Sequence, residues 1–260
     1  MLKKNDIKLI RSLRLKKYRQ KYNKFIVEGE KNSVEALKNV LDRVDSIYCT
    51  IDFFDKNQLL FVNSTAEVVI VSDKELKQIS NLKSANSVVL ILNKKQKINI
   101  DLLKKSKTIV YLDDITDPGN MGTIIRSCDW FDVDALVTSI NSVDIYNPKV
   151  IQSSMGSIFR LPIFNYEFNE MQEILSGYDF TFYGTKLQGD SINAVIYNYP
   201  MVIVVGNESK GISDAIDKKL NHRITIPRYN KNTESLNAAV ATAIVLYEIK
   251  RMNIKERATF

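Results

Sequence analysis

The stretch Thr108-Ile109-Val110-Tyr111-Leu112-Asp113-Asp114-Ile115-Thr116-Asp117-Pro118-Gly119-Asn120-Met121-Gly122-Thr123-Ile124-Ile125-Arg126 decides the fold class. Its first five residues form an apolar run of strand length, and Asp-Pro-Gly-Asn after them is a turn able to start a helix. A helix is therefore expected over 120–131. The alternation continues downstream, with strands expected at 135–138, 180–184, 201–205 and 223–226 and helices at 148–158 and 234–252. Residues 201–205, Met-Val-Ile-Val-Val, are apolar throughout, as a strand buried on both faces requires. Strands alternating with helices imply an α/β fold with a mostly parallel sheet covered on both sides. In the last helix Leu236, Val240, Ala243 and Tyr247 share one face.

Upstream lies a smaller α/β region. A basic helical stretch over 3–22 carries a thin apolar stripe of Ile7, Ile10, Leu13 and Tyr18, and strands are expected at 25–28, 46–49, 67–71 and 88–92. Asn32 with Glu35, and Ser72 with Glu75, have the spacing of helix N-terminal caps. All five prolines and eight of the nine glycines fall after residue 107, so the two parts differ in loop chemistry. They join through the Lys-rich stretch 94–107, which places one domain at 1–105 and a second at 106–260.

The chain has 260 residues and a formal net charge of +7. Residues 1–31 hold eleven Lys/Arg against three acids, a net +8, while 32–260 hold 26 against 27. The whole excess is N-terminal, and a localised basic segment points to a polyanionic partner, nucleic acid before a membrane surface. Lys3, Lys4, Lys8, Arg11, Arg14, Lys16, Lys17 and Arg19 are the candidate phosphate contacts, with Lys149 and Ser154 further along. Read as an arm, this segment could be removed with loss of nucleic-acid affinity alone.

Several classes drop out. The longest apolar runs, 87–92 and 201–206, are far below the ~20 residues that span a bilayer. The opening Met-Leu-Lys-Lys-Asn-Asp has no apolar core after its charges and is not a secretory signal. Two cysteines without a C-x-x-C and a single histidine, His222, make a poor metal-ligand set. A cytoplasmic protein without a membrane anchor or metal is expected, and His222 reads as a strand-edge residue. Asp113, Asp114 and Asp117 read as strand-end turn and capping residues rather than Mg²⁺ ligands.

Ligands of a parallel α/β sheet sit beyond the carboxyl ends of its strands, so four loops matter: 113–122, 185–189, 206–211 and 227–237. None contains G-x-G-x-x-G or a P-loop, which removes the support for a nucleotide-dependent enzyme. In the helix after the first loop, Arg126 stands six residues beyond Asn120, where its planar guanidinium could grip a phosphate. In the third, Gly206-Asn207-Glu208 follows an apolar strand, and a glycine there allows close backbone approach. The fourth runs from Ile226-Pro227 to Ser235-Leu236-Asn237 and presents a hydroxyl and an amide at a helix start.

Together, in this order and at these spacings, these stretches resemble the three signature motifs of the SpoU (TrmH) family of RNA ribose 2′-O-methyltransferases. Between them, Asp144-Ile145-Tyr146-Asn147-Pro148-Lys149 through Ser154-Met155-Gly156 and Arg160-Leu161-Pro162 share the family's look, and Phe25-Ile26-Val27-Glu28-Gly29-Glu30 resembles the opening of its N-terminal substrate-binding domain. The departures are Cys128 and Asp132 where Ala and Gly are usual, and Ala238 where Val is frequent.

The resemblance implies a small N-terminal α/β RNA-binding domain, a C-terminal sheet with a deep trefoil knot, S-adenosylmethionine bound in that knot, and a homodimer. It implies a methyl-donor pocket lined by Thr185, Gly206, Asn207, Ile226 and Leu236, and a catalytic rim of Asn120, Arg126, Glu208, Ser235 and Asn237. The expected substrate is RNA, with large-subunit rRNA preferred over tRNA. The reading from another class is a non-catalytic RNA-binding or ribosome-assembly protein, which the intact rim residues argue against and donor binding would discriminate.

Overall fold

Two sheets organise the chain, and a computed structural model describes residues 2–82, 86–94, 99–230 and 232–257. In chain order the first elements are α1 (Lys4–Ser12), α2 (Lys16–Tyr22), β1 (Lys24–Glu28), α3 (Glu30–Asn39), β2 (Val44–Cys49), α4 (Ile51–Lys56), β3 (Glu67–Ile70), α5 (Asp73–Ile79) and β4 (Val88–Asn93). Then follow α6 (Asp101–Lys104), β5 (Thr108–Leu112), α7 (Pro118–Trp130), β6 (Ala135–Thr138), α8 (Pro148–Ser154), β7 (Ile163–Asn165), α9 (Phe168–Ile174), β8 (Thr181–Ser191), β9 (Met201–Val205), α10 (Asp214–Asp217), β10 (His222–Thr225) and α11 (Ala238–Arg257). Contacts group these into two compact units, Met1–Lys97 with Asp144–Arg160, and Ile98–Val143 with Leu161–Phe260. Of the joining stretch 94–107, residues 95–98 lie outside the described residues.

The first unit carries a four-stranded mixed sheet in the order β1-β4-β2-β3, with β4 antiparallel to both neighbours and β2 parallel to β3. Its core joins Ile10 and Leu13 of the basic segment to Ile26, Tyr48, Leu76, Ile79, Val89 and Ile91. The basic segment is thus part of the fold and not a detachable arm; truncating it would uncover this core. Nor is it one helix. The backbone breaks after Leu13, and Leu15 is extended at φ −97°, ψ 132°. Burying Leu13 turns the chain, and the carbonyls freed at the turn are taken by a buried cation, as helix ends require. Arg19 donates from Nη1 to the oxygens of Leu13 (3.0 Å) and Arg14 (2.8 Å). Its Nε and Nη2 donate to Oδ2 of Asp144 at 2.8 and 2.7 Å.

Two caps test the spacing argument. Ser72 and Glu75 form the expected capping box at α5. The backbone N–H of Ser72 and of Leu2 hold the Glu75 carboxyl down to about 2. Asn32 and Glu35 do not cap. The helix begins earlier, at Glu30, with Gly29 before it at φ 88°, a left-handed backbone that favours glycine. Asn32 instead lies inside the helix and donates to Oε1 of Gln152 at 3.2 Å.

The second unit carries a six-stranded sheet, order β10-β8-β9-β5-β6-β7, in which every pairing is parallel. Ile109, Tyr111, Val202 and Val204 face one side with Phe168 and Met171. Val110, Leu112, Ile203 and Val205 point to the other side by strand alternation, and all are buried. Leu112 pairs with both Thr138 and Val205, and Gly184 with Val204. The central strands therefore end almost flush, and their loops leave from one edge. β8 is longer than expected because its pairing with β10 jumps from Arg223–Gly184 to Ile224–Asp190, leaving 185–189 as an excursion between two paired segments.

The ion pair of Arg19 with Asp144 is the test of the first unit. Replacing Arg19 with Met strands a carboxylate that is 12% exposed, and breaking a buried pair from one side costs about 3–5 kcal/mol. We expect Arg19→Met to lower the urea midpoint accordingly, followed by circular dichroism.

Candidate functional site

The loop after β5 holds the start of α7 in place. Asp117 caps that helix, its Oδ1 accepting the Asn120 backbone N–H at 2.8 Å. With the cap supplied by Asp117, the Asn120 side chain is released toward the neighbouring loops. Its Nδ2 donates to Glu208 Oε1 at 2.6 Å, and its Oδ1 accepts from Asn237 Nδ2 at 2.8 Å. Asn237 in turn caps α11, its Oδ1 accepting from the backbone of Ala239 (3.0 Å) and Val240 (3.3 Å). That cap is why α11 starts at Ala238 and not near 234. One hydrogen-bond chain, Asn237 to Asn120 to Glu208, thus joins the starts of two helices to the loop after β9.

That loop is folded on itself. A Cβ on Gly206 would lie 2.2 Å from the carbonyl carbon of Gly211 and 2.3 Å from the N of Ile212. The glycine is therefore demanded by the loop's own backbone. Asn207 and Gly211 exchange backbone hydrogen bonds of 3.1 and 2.9 Å. The Asn207 side chain adds three more: Oδ1 accepts the N–H of Ser209 (2.9 Å) and Lys210 (3.2 Å), and Nδ2 donates to the Asp114 carbonyl at 2.7 Å. Asp113 strengthens the same seam by accepting the Ser213 N–H at 2.8 Å. The three aspartates expected to turn and cap do so. Asp114 takes the left-handed conformation at φ 55°, and its N–H donates to Ser139 Oγ at 2.9 Å.

A cavity of about 890 Å³ opens beyond β8, β9 and β10. Thr185, Gly206, Asn207, Ile226 and Leu236, the residues expected at a donor pocket, all line it, as do Glu208 and Ser235. The Thr185 hydroxyl turns back into the sheet and donates to the Val204 carbonyl at 3.1 Å. Asn120 and Asn237 reach the cavity through Glu208. Arg126 does not join them. Six residues of helix carry it about 9 Å along and roughly 120° around the axis from Asn120. It is exposed there and takes no hydrogen bond or ion pair among the described residues. Trp130, one turn beyond, is 81% exposed, so it does not shield Arg126 as an apolar neighbour would. Val240 and Tyr247 are also left to solvent, so the apolar face expected of α11 is not the one that packs; Ala239, Thr242, Leu246 and Ile249 are buried instead.

Among the nucleic-acid candidates, Lys3, Lys4, Lys8, Arg11, Lys16, Lys17 and Lys149 are exposed. Arg14 is half-buried and donates to the carbonyls of Ile79 and Ser80, which close the end of α5. Two expectations are overturned. Arg19 is 2% exposed and spends its guanidinium on Asp144 and two carbonyls. Ser154 is fully buried, its Oγ donating to the Ile151 carbonyl. His222 is an exposed edge residue stacked on Tyr183, with ring centroids 5.0 Å apart. Among the described residues no helix is long and apolar enough to cross a membrane.

The SpoU rRNA methylase family matches residues 107–247, which span the β5–α7 turn, the Gly206 loop and the Asn237 cap. The chain belongs to the SpoU rRNA methylase family. An MRM3-like substrate binding domain matches residues 4–89. Over 250 residues, 95% of this SpoU chain and 97% of the relative, it is 28% identical to the 23S rRNA (guanosine(2553)-2′-O)-methyltransferase RlmP of Bacillus subtilis. It is 34% identical over 155 residues to a 23S rRNA (uridine(2479)-2′-O)-methyltransferase of Streptomyces viridochromogenes, covering 57% of this chain and 54% of that one. An AdoMet-bound rRNA methyltransferase from Sinorhizobium meliloti superposes with a TM-score of 0.86 at 26% identity, over 97% of this chain and 96% of that one. The family resemblance read from the motifs is thus met across nearly the whole SpoU chain.

The sequence signals missed Asn207 as a cross-link. An Asn after a strand-end Gly reads as a turn residue, and nothing nearby names a carbonyl 93 residues away. Asn207→Asp keeps the acceptor for Ser209 and Lys210 but replaces the donor to Asp114 with a charged oxygen that faces its carbonyl. We expect turnover to fall about 10- to 100-fold through misplacement of Glu208, and donor affinity in calorimetry to weaken as well, because Asn207 also lines the cavity.

Proposed function

We propose that this SpoU methylase transfers the methyl group of S-adenosylmethionine to a ribose 2′-hydroxyl of large-subunit, 23S, rRNA. The observation that carries the reading is the chain Asn237–Asn120–Glu208 at the lip of a cavity that the donor-pocket residues line. The cavity suits the donor chemically: Ile226, Leu236 and Ala241 offer apolar walls for a purine, while Thr185, Gly206 and Asn207 bring strand-end backbone to a polar tail. Bound there, S-adenosylmethionine supplies an electrophilic methyl group on a cationic sulfur.

The protein's own task is to hold the attacking hydroxyl and move one proton. Glu208 has Oε1 occupied by Asn120 and offers Oε2 to the ribose hydroxyl, taking its proton directly or through a water. The Asn120 amide fixes the carboxylate plane, and Asn237 fixes Asn120. Ser235, exposed on the cavity wall, is placed to hydrogen-bond the incoming ribose. Arg126 remains protonated at any working pH and serves as a phosphate grip. Its position on the exposed side of α7 supports a homodimer in which Trp130, Val240 and Tyr247 are covered by a second copy and Arg126 reaches the partner's site. The two parts divide the labour, with residues 1–105 binding RNA through exposed lysines of α1 and α2, residues 106–260 carrying the chemistry, and the C-terminal part threaded as the family's knot. The enzyme works in the cytoplasm, where its substrate is made.

Ribose-methylation mapping of total RNA from a strain lacking the gene tests the assignment. We expect loss of one 2′-O-methyl group in 23S rRNA, the guanosine equivalent to the RlmP target being the first to inspect. Loss in a tRNA would move the substrate, and no loss anywhere would remove the enzymatic claim. For the phosphate grip, Arg126→Lys keeps the charge and deletes the planar fork. We expect kcat/KM for RNA to drop at least tenfold, about 1.4 kcal/mol; near-normal turnover would sink a fork-specific role.

A further inference from the structure

Tyr229 is the most exposed large hydrophobic side chain among the described residues, at 95%. It also lines the same cavity as Glu208, so its exposure lies at the site and not on a remote surface. The loop that carries it is braced on both flanks. Arg228 Nη1 donates to the Thr233 carbonyl at 3.3 Å. Asn230 accepts the Asn232 N–H on its side chain at 3.0 Å and the Thr233 N–H on its carbonyl at 3.4 Å. A braced turn that holds an aromatic ring in water buries none of that ring's apolar area, which is a missed stabilisation unless something else covers it.

The cavity volume, about 890 Å³, is near the upper end of the 300–1,000 Å³ typical of small-molecule sites. It leaves room for part of a nucleotide beside the donor. RNA read in single-stranded form presents unstacked bases, and aromatic side chains are what such bases stack on. Tyr229 has a flat π-face, almost no protein contact, and a place on the lining of the cavity that also holds the carboxylate that meets the ribose. We propose that Tyr229 stacks on an unpaired RNA base at the methylated nucleotide or next to it, and so helps select the target. The inference rests on the RNA methyltransferase reading above and adds a substrate contact to it.

The test uses the full-length protein and 23S rRNA purified from a strain lacking the gene. Tyr229→Ala should lower kcat/KM for that RNA about 5- to 150-fold, which is ~1–3 kcal/mol of base stacking converted to a ratio. Tyr229→Phe and Tyr229→Trp should restore it to near the parent value, since each keeps the π-face. S-adenosylhomocysteine affinity in calorimetry and the elution volume in size exclusion should stay unchanged in all three. Three results would overturn the proposal: an alanine variant as active as the parent, a phenylalanine variant as impaired as alanine, or a change in donor affinity or oligomeric state in the alanine variant. Failure of the underlying reading is distinct, because there the parent protein itself would bind S-adenosylhomocysteine yet leave the RNA unmethylated.

Discussion

The carboxamide of Asn120 is the constraint on which the site depends. A primary amide has one donating and one accepting end, and here each end is committed to a different loop: nitrogen to Glu208, oxygen to Asn237. Because a carboxylate can only accept, the amide cannot rotate to the reverse arrangement without facing oxygen to oxygen. The amide of Asn237 must then present its nitrogen, which leaves its oxygen free to cap α11. Polarity thus propagates from one carboxylate through two amides to the start of a helix. All of it presupposes that β5 and β9 end at the same level, which is a property of the parallel register and not of the loops.

Fold class was legible because it rests on patterns that local sequence carries. Five-residue apolar runs separated by Pro-, Gly- and Asn-bearing turns describe a buried parallel sheet whatever its neighbours are, and β5, β6 and β9 stand where that pattern puts them. Helix starts were less legible, since several polar residues competed for each cap. At α5 Ser72 and Glu75 sat alone and paired as expected. At α7 Asp117 capped as the turn reading expects, while at α11 the start went to Asn237, whose bond to Asn120 across 117 residues spacing does not reveal. At α3 a glycine with a left-handed backbone took the start from Asn32.

Charge was the least faithful guide. Counting placed all of the excess in residues 1–31, and most of those lysines do face water. But Arg19 lies in the same run and is a buried structural ion, because its partner Asp144 and the carbonyls freed at the α1–α2 break require a cation there. A count cannot separate a solvated charge from a neutralised one. Nor could it show that Ile10 and Leu13, spaced among those charges, belong to the core of the sheet. The place of the candidate site was more legible, because the loops after β5 and β9 and the start of α11, where the motifs fall, are joined by the Asn237–Asn120–Glu208 bonds.

The partnership of Arg19 with Asp144 also bears on how the chain is made. The two residues are 125 positions apart, and at about 5–20 residues per second of translation the arginine emerges some 6 to 25 seconds before the aspartate. During that interval the N-terminal sheet can form while an essential counter-ion is missing. Completion of the first unit therefore waits on synthesis of β5, α7 and β6, which belong to the second. An ordinary two-domain chain folds its leading domain and forgets it; here the leading domain is finished by a segment delivered late.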